Sequence, residues 1–229
     1  MTHDTLSRRQ RRSLAAAFAA CALATLTLLA SHPNSGAHNF AEFIQYESQH
    51  QLVDALVHGG FIVTLGALMV CFVLLCRLLG GARPAAVSGL VAFCIGCGAL
   101  MASMLLDGFV TPAIAARFMD TGNADNLVAA RTLLVFCGTV IRFLMPMGML
   151  FQAAAMLAWS SIIMSGGGIR RSVGVFGLAA ALVLMVGLFV APARIVEHVL
   201  LGGIVLQTAW YVALAALLAH RDSFPSLPD

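Results

Sequence analysis

The chain contains no lysine; all 13 of its basic residues are arginine. Charge of either sign is scarce, at 10% of 229 positions, against roughly 25% in an average soluble domain. With 60% of residues apolar, that scarcity excludes an ordinary soluble enzyme and a disordered chain alike. A net charge of +3 without any basic run interleaved with aromatics excludes a nucleic-acid groove. Cysteine does not form a disulfide framework. Cys21, Cys71, Cys76, Cys94, Cys97 and Cys137 all lie in apolar stretches, where a thiol behaves as a small hydrophobe. Cys94 and Cys97 have the spacing of a redox pair, but they fall in the middle of an apolar run.

What is present is length. A bilayer core of about 30 Å takes about 20 apolar residues in a helix. Six runs meet or approach that: Leu14–Ala30, Leu56–Leu79, Ala85–Leu106, Phe143–Met164, Val173–Ala191 and Val199–Ala219. Backbone groups in lipid must be satisfied within the segment, so each run is expected to be helical. The fold class is therefore an all-α polytopic membrane bundle of six helices, or five if the first run is a cleaved signal. The basic start, apolar run and small residue at Ala30 fit a signal as well as an anchor. One transmembrane domain spans 14–221, between a basic tail at 1–13 and a polar tail at 222–229. The lipid bilayer is the expected partner, with a homo-oligomer or a membrane partner subunit as a further candidate.

Arginines set the orientation. Arg8, Arg9, Arg11, Arg12, Arg77, Arg83, Arg170, Arg171 and Arg221 fall on one side of an alternating six-helix chain. Only Arg117, Arg131, Arg142 and Arg194 fall on the other. The positive-inside rule places both termini in the cytoplasm if the first helix is retained, and the chain in the inner (plasma) membrane.

The outer side collects the chemistry. Seven of the ten acids and five of the seven histidines, His32 among them, lie there or at outer helix ends. From Phe40 the chain is amphipathic and is expected to run into the second membrane helix. At 100° per residue, Glu47, His50, Asp54 and His58 share an arc of about 80°, a ladder of acid and imidazole descending one face. Val196–Val205 can be laid without a gap on Val53–Ile62, matching Glu197 to Asp54 and one Gly-Gly pair to the other, with His198 one turn from the position of His58. The glycine pairs are expected to serve close helix packing. Asp54, His58, Glu197 and His198 are accordingly the candidate metal ligands, expected to converge between neighbouring second and sixth membrane helices. Glu47, His50, Asp107, Arg142 and Arg194 are candidates for the surrounding shell or a relay. Neutral imidazole and carboxylate suit a divalent transition metal such as Zn, Fe or Cu. Met145, Met147 and Met149 form a soft-ligand candidate for copper, provided that Pro146 breaks their helix.

Four functions compete on this reading. The first is a membrane metalloprotein with an outward His/carboxylate site, catalytic or metal-handling. The second is a cytochrome holding haem b between His58 and His198. A proton-coupled transporter, with intramembrane acids as relays, and a non-catalytic membrane subunit complete the set. No serine or cysteine nucleophile constellation stands out.

Overall fold

A computed structural model describes residues 7–32, 36–119, 123–191 and 195–220, with the side chains of residues 124 and 197 left aside. The described chain is helical, with no strand among these residues. The elements are α1 (Arg8–Ala30), α2 (Phe40–Leu78), α3 (Pro84–Leu105), a π-helical turn (Leu106–Val110), α4 (Thr111–Arg117), α5 (Ala124–Met164), α6 (Ile169–Val190) and α7 (Val196–Ala219). Six stretches are long and apolar enough to cross a membrane, and α3, the π turn and α4 count together as one of them. This is an all-α polytopic bundle.

Local signals explain the boundaries. Ser7 opens α1 with a capping box, its hydroxyl accepting from the Gln10 backbone N–H while the Gln10 side chain accepts from that of Ser7. Asn39 caps α2 through its side-chain oxygen on the Glu42 N–H, and the Glu42 carboxylate accepts from the His38 N–H. Nothing interrupts α2 for 39 residues, about 58 Å at helical rise. Likewise α5 runs for 41 residues through Pro146. Both are about twice the length that spans the hydrocarbon core, and their N-terminal halves form a collar with α4. A second small core holds the collar together, with Ile44, Ala115, Ala130 and Leu134 buried against Phe40, Phe43 and Leu127.

The helices close into a ring in which each packs on the next, in the order α1, α2, α3, α5, α6, α7 and back to α1. The expectation that α2 and α7 are neighbours is corrected by this order: α1 packs against both and stands between them. The physical reason lies in direction. α2 and α7 run parallel, and the antiparallel α1 fills the seam between them. Lipid offers no hydrophobic drive to pair helices, so close backbone approach carries the packing. A Cβ on Gly60 would meet the Leu28 side chain at 2.7 Å, and one on Gly203 would meet Leu184 and Met149. One glycine of each Gly-Gly pair thus seats a neighbour. α3 and α5 approach most intimately where Gly96 faces the Gly148 carbonyl.

Below the middle of the ring an aromatic cluster fills the bundle. Phe72 lies flat on Trp159, with centroids 4.3 Å apart and planes 3° from parallel, and meets Phe18 edge-on at 5.1 Å. Trp210, Tyr211 and Phe93 complete the cluster, and the Trp159 indole donates to the Ala86 carbonyl at 3.2 Å. Between this plug and the collar the ring encloses a cavity of about 610 Å³. α6 contributes no residue to it and exposes Leu182, Val183, Val186, Phe189 and Val190, in keeping with the absence of polar side chains between Val173 and Val190.

Candidate metal centre

Three side chains meet at the collar end of the cavity. His58 comes from α2, His32 follows the last turn of α1 beyond the cap at Ser31, and Asp107 stands in the π turn after α3. One ligand atom from each lies within 4.8 Å of the others. The His32 and His58 rings meet edge to face, with centroids 5.0 Å apart.

The π turn has a sequence cause. Pro112 cannot donate to the carbonyl four residues back, and its ring crowds that carbonyl. The chain widens instead, and the Thr111 N–H bonds to the Leu106 carbonyl, five residues back. Such turns occur frequently at functional sites. Here the turn carries Asp107 toward His58 and sets Gly108 against the same ring. A Cβ on Gly108 would overlap the His58 side chain, so only glycine admits the imidazole there. The third apolar run ends at Leu106, but helix continues past Asp107 to Arg117.

His58 is 2% exposed and fixed at both nitrogens. Its Nδ1 lies 2.9 Å from the Asp54 carbonyl oxygen, an obligate acceptor, so Nδ1 carries a proton. Its Nε2 lies 3.2 Å from Asp107 Oδ2. A neutral imidazole in that tautomer presents a lone pair to a carboxylate, acceptor against acceptor. The contact is favourable only with a proton shared between the two groups, on the ring or on the carboxyl, or with a cation beside both. The surroundings reinforce this demand. Asp54 is 5% exposed, and its Oδ2 has no hydrogen-bond partner among the described residues. Glu47, Asp54 and Asp107 lie close enough to repel one another, and His50 and His58 offset them. A buried carboxylate without a partner is costly.

The geometry suits a small cation. Bonds of about 2.0–2.2 Å in a tetrahedral site put ligand atoms about 3.4 Å apart, near the 3.2 Å between His58 and Asp107. The Nδ1–H bond to a backbone carbonyl is the kind of outer contact that fixes the tautomer of a metal-bound histidine. Two imidazoles and one carboxylate leave a fourth position open.

Other residues singled out from the sequence are placed as follows. Glu47 and His50 lie half-buried on the face that carries Asp54 and His58. His50 stacks on Tyr46 at 4.0 Å and bonds to its carbonyl. His198 is exposed in the first turn of α7 and is not brought into the cluster, and His58 Nε2 faces Asp107 instead. The side chain of Glu197 and the whole of Arg194 lie outside the described residues. Arg142 is exposed on α5. Pro146 does not break α5, so Met147 is 51% exposed while Met145 and Met149 line the cavity. His32 was absent from the ligand set read from sequence; its position just beyond the first run, at the same outer boundary as His58, was the available signal. No protein-family model, no curated protein and no solved structure matches this chain.

Proposed function

We propose that the protein is a membrane metalloprotein whose centre is formed by His32, His58 and Asp107 and binds a divalent transition metal, zinc or iron before copper. The observation that carries this reading is the acceptor-to-acceptor contact of His58 Nε2 with Asp107, in a cluster that gathers Glu47, Asp54 and Asp107 with His32, His50 and His58. Imidazole and carboxylate donors favour zinc or iron, while the methionines splayed around α5 do not supply a soft site. Three protein ligands with an open fourth position are the pattern of catalytic zinc. Asp54, one turn from His58 on the same helix, is the carboxylate that would take a proton from a water held in that position. Hydrolysis at the outer face of the inner membrane is the activity this arrangement serves best. Haem b between His58 and His198 is disfavoured, because α1 separates their helices.

The same contact with a proton in place of a metal is an imidazolium–carboxylate pair, the arrangement a proton-coupled transporter would use. Elemental analysis of protein purified in detergent separates the two. About one zinc or iron per chain is expected, falling below one tenth in His58→Ala and Asp107→Ala while helical content is unchanged. Protein that stays metal-free after exposure to zinc, iron and copper overturns the proposal and leaves the proton pair.

A further inference from the structure

The face opposite the collar brings the starts of α3 and α6 to either side of the end of α5. Trp159 of α5 bonds to the Ala86 carbonyl in the first turn of α3, and a Cβ on Gly174 of α6 would meet the Met164 backbone at 2.5 Å. Each start follows a glycine turn, with φ of +85° at Gly80 and +55° at Gly168. Neither carries a side-chain cap, so two positive helix ends open on this face. Arginines add to them. Arg83 folds back over Gly80 and Arg170 over Gly166, and their two guanidinium charges stand close enough to repel each other. Arg171 is exposed beside them, and the described residues of the two turns include no acid. A Cβ on Gly167 or Gly168 would meet nothing within 4 Å, so the space over the start of α6 is open.

Behind these charges α5 is recessed. From Gly148 to Ser160 it has no exposed residue. Ala154, Leu157 and Ala158 share one face by helical spacing and are only half-buried, so that face points outward. Beside it Ile95 of α3 and Val175 and Leu182 of α6 are exposed. A stripe set lower than the ridges on both sides is a groove, and its alanines give it depth. The recessed stretch is about 18 Å long, close to the roughly 15 Å of one leaflet of hydrocarbon. It ends at the arginines.

We propose that this groove holds one acyl chain of an anionic phospholipid, whose phosphate sits among Arg83, Arg170 and Arg171 at the two helix starts. The guanidinium fork matches phosphate oxygens, and helix N-termini bind the same group. The apolar groove selects a phosphate that carries a chain over a free ion. The turns offer no carboxylate to a choline ammonium, so a net-negative headgroup such as phosphatidylglycerol fits and phosphatidylcholine does not. The second acyl chain stays in the bilayer. The site lies at the other end of the bundle from the metal centre and does not depend on it.

The test is native mass spectrometry of the full chain in detergent, titrated with phosphatidylglycerol or phosphatidylcholine bearing the same acyl chains. One arginine beside an anionic headgroup corresponds to about fivefold in affinity. Arg83→Gln and Arg171→Gln should therefore each weaken phosphatidylglycerol binding about fivefold and leave phosphatidylcholine unchanged. Arg9→Gln removes the same charge from an exposed position at the start of α1, away from the groove, and should change nothing. Ala158→Phe, which fills the groove, should weaken phosphatidylglycerol binding, and inorganic phosphate should not displace the lipid. Should Ala158→Phe fail to fold, the arginine variants and the phosphate competition still decide. Equal affinity for the two lipids overturns the proposal. So does a loss in Arg9→Gln that matches Arg83→Gln, which would make the attraction one of diffuse surface charge. Displacement by phosphate, or full binding in a folded Ala158→Phe, leaves a site for a free anion and overturns the lipid.

Discussion

Gly108 is the residue on which the proposed metal centre turns, although it offers no ligand. In Gly108→Ala the new Cβ would occupy space now filled by the His58 ring. Neither side can yield cheaply: the ring is held at Nδ1 by the Asp54 carbonyl and at Nε2 by Asp107, and the π turn is held by Pro112. Overpacking of this kind costs about 1–3 kcal/mol, and a displaced charge-assisted hydrogen bond costs about 1.5–3 kcal/mol more. Against this, alanine gains up to about 1 kcal/mol in helix propensity over glycine. The net loss is about 1.5–5 kcal/mol, concentrated on the ring that would bind the metal. Zinc affinity, measured by competition with a chelating dye in detergent, should fall by at least about tenfold, and the melting temperature should fall with it. Gly202→Ala is the control, because a Cβ there meets nothing within 4 Å; it should leave both quantities unchanged or slightly raised. Should Gly108→Ala bind zinc as tightly as the parent, His58 is not locked as described and the centre is not built around it.

Three further expectations follow from the same structure. α1 should persist in the membrane-embedded protein, because Leu14, Phe18 and Ala22 are buried in the core and His32 completes the triad; intact-mass measurement of membrane-extracted protein checks this, and a chain beginning after Ala30 refutes it. Metal binding should weaken as pH falls, since imidazole must be neutral to ligate; occupancy retained at pH 4.5 in zinc titrations would remove the histidines from the ligand set. Reporter fusions after Leu79 and after Gly168 should report the cytoplasm and one after Asp120 the periplasm, as the arginine distribution requires; any reversal overturns the outward-facing site.

The six spans were readable because each depends only on local composition. So was the start of α2 at Phe40, where amphipathic pattern and the Asn39 cap agree. One ligand of the triad was also readable: helical spacing alone puts His58 on one face with Asp54. The rest depends on facts that spacing does not encode. The order of the ring is decided by where small residues let backbones approach, such as Gly60 beneath Leu28, and gapless likeness between α2 and α7 says nothing about the helix between them. His32 lies beyond a helix end, where periodicity no longer assigns a face. Asp107 reaches His58 through a π turn, whose extra residue per turn shifts every angle computed at 100°.

The positions of the ligands along the chain also bear on how the protein is made. His32, His58 and Asp107 all precede residue 110, so the three donors are present once the third spanning segment has left the ribosome. Gln152 and Gln207 arrive only later, with α5 and α7. An ion bound as proposed would therefore meet its three donors in the nascent half-bundle and pin those helices together before the cavity beneath has its remaining walls. α7 would then close a chamber whose outer end is already occupied, and the order of translation would become the order of loading.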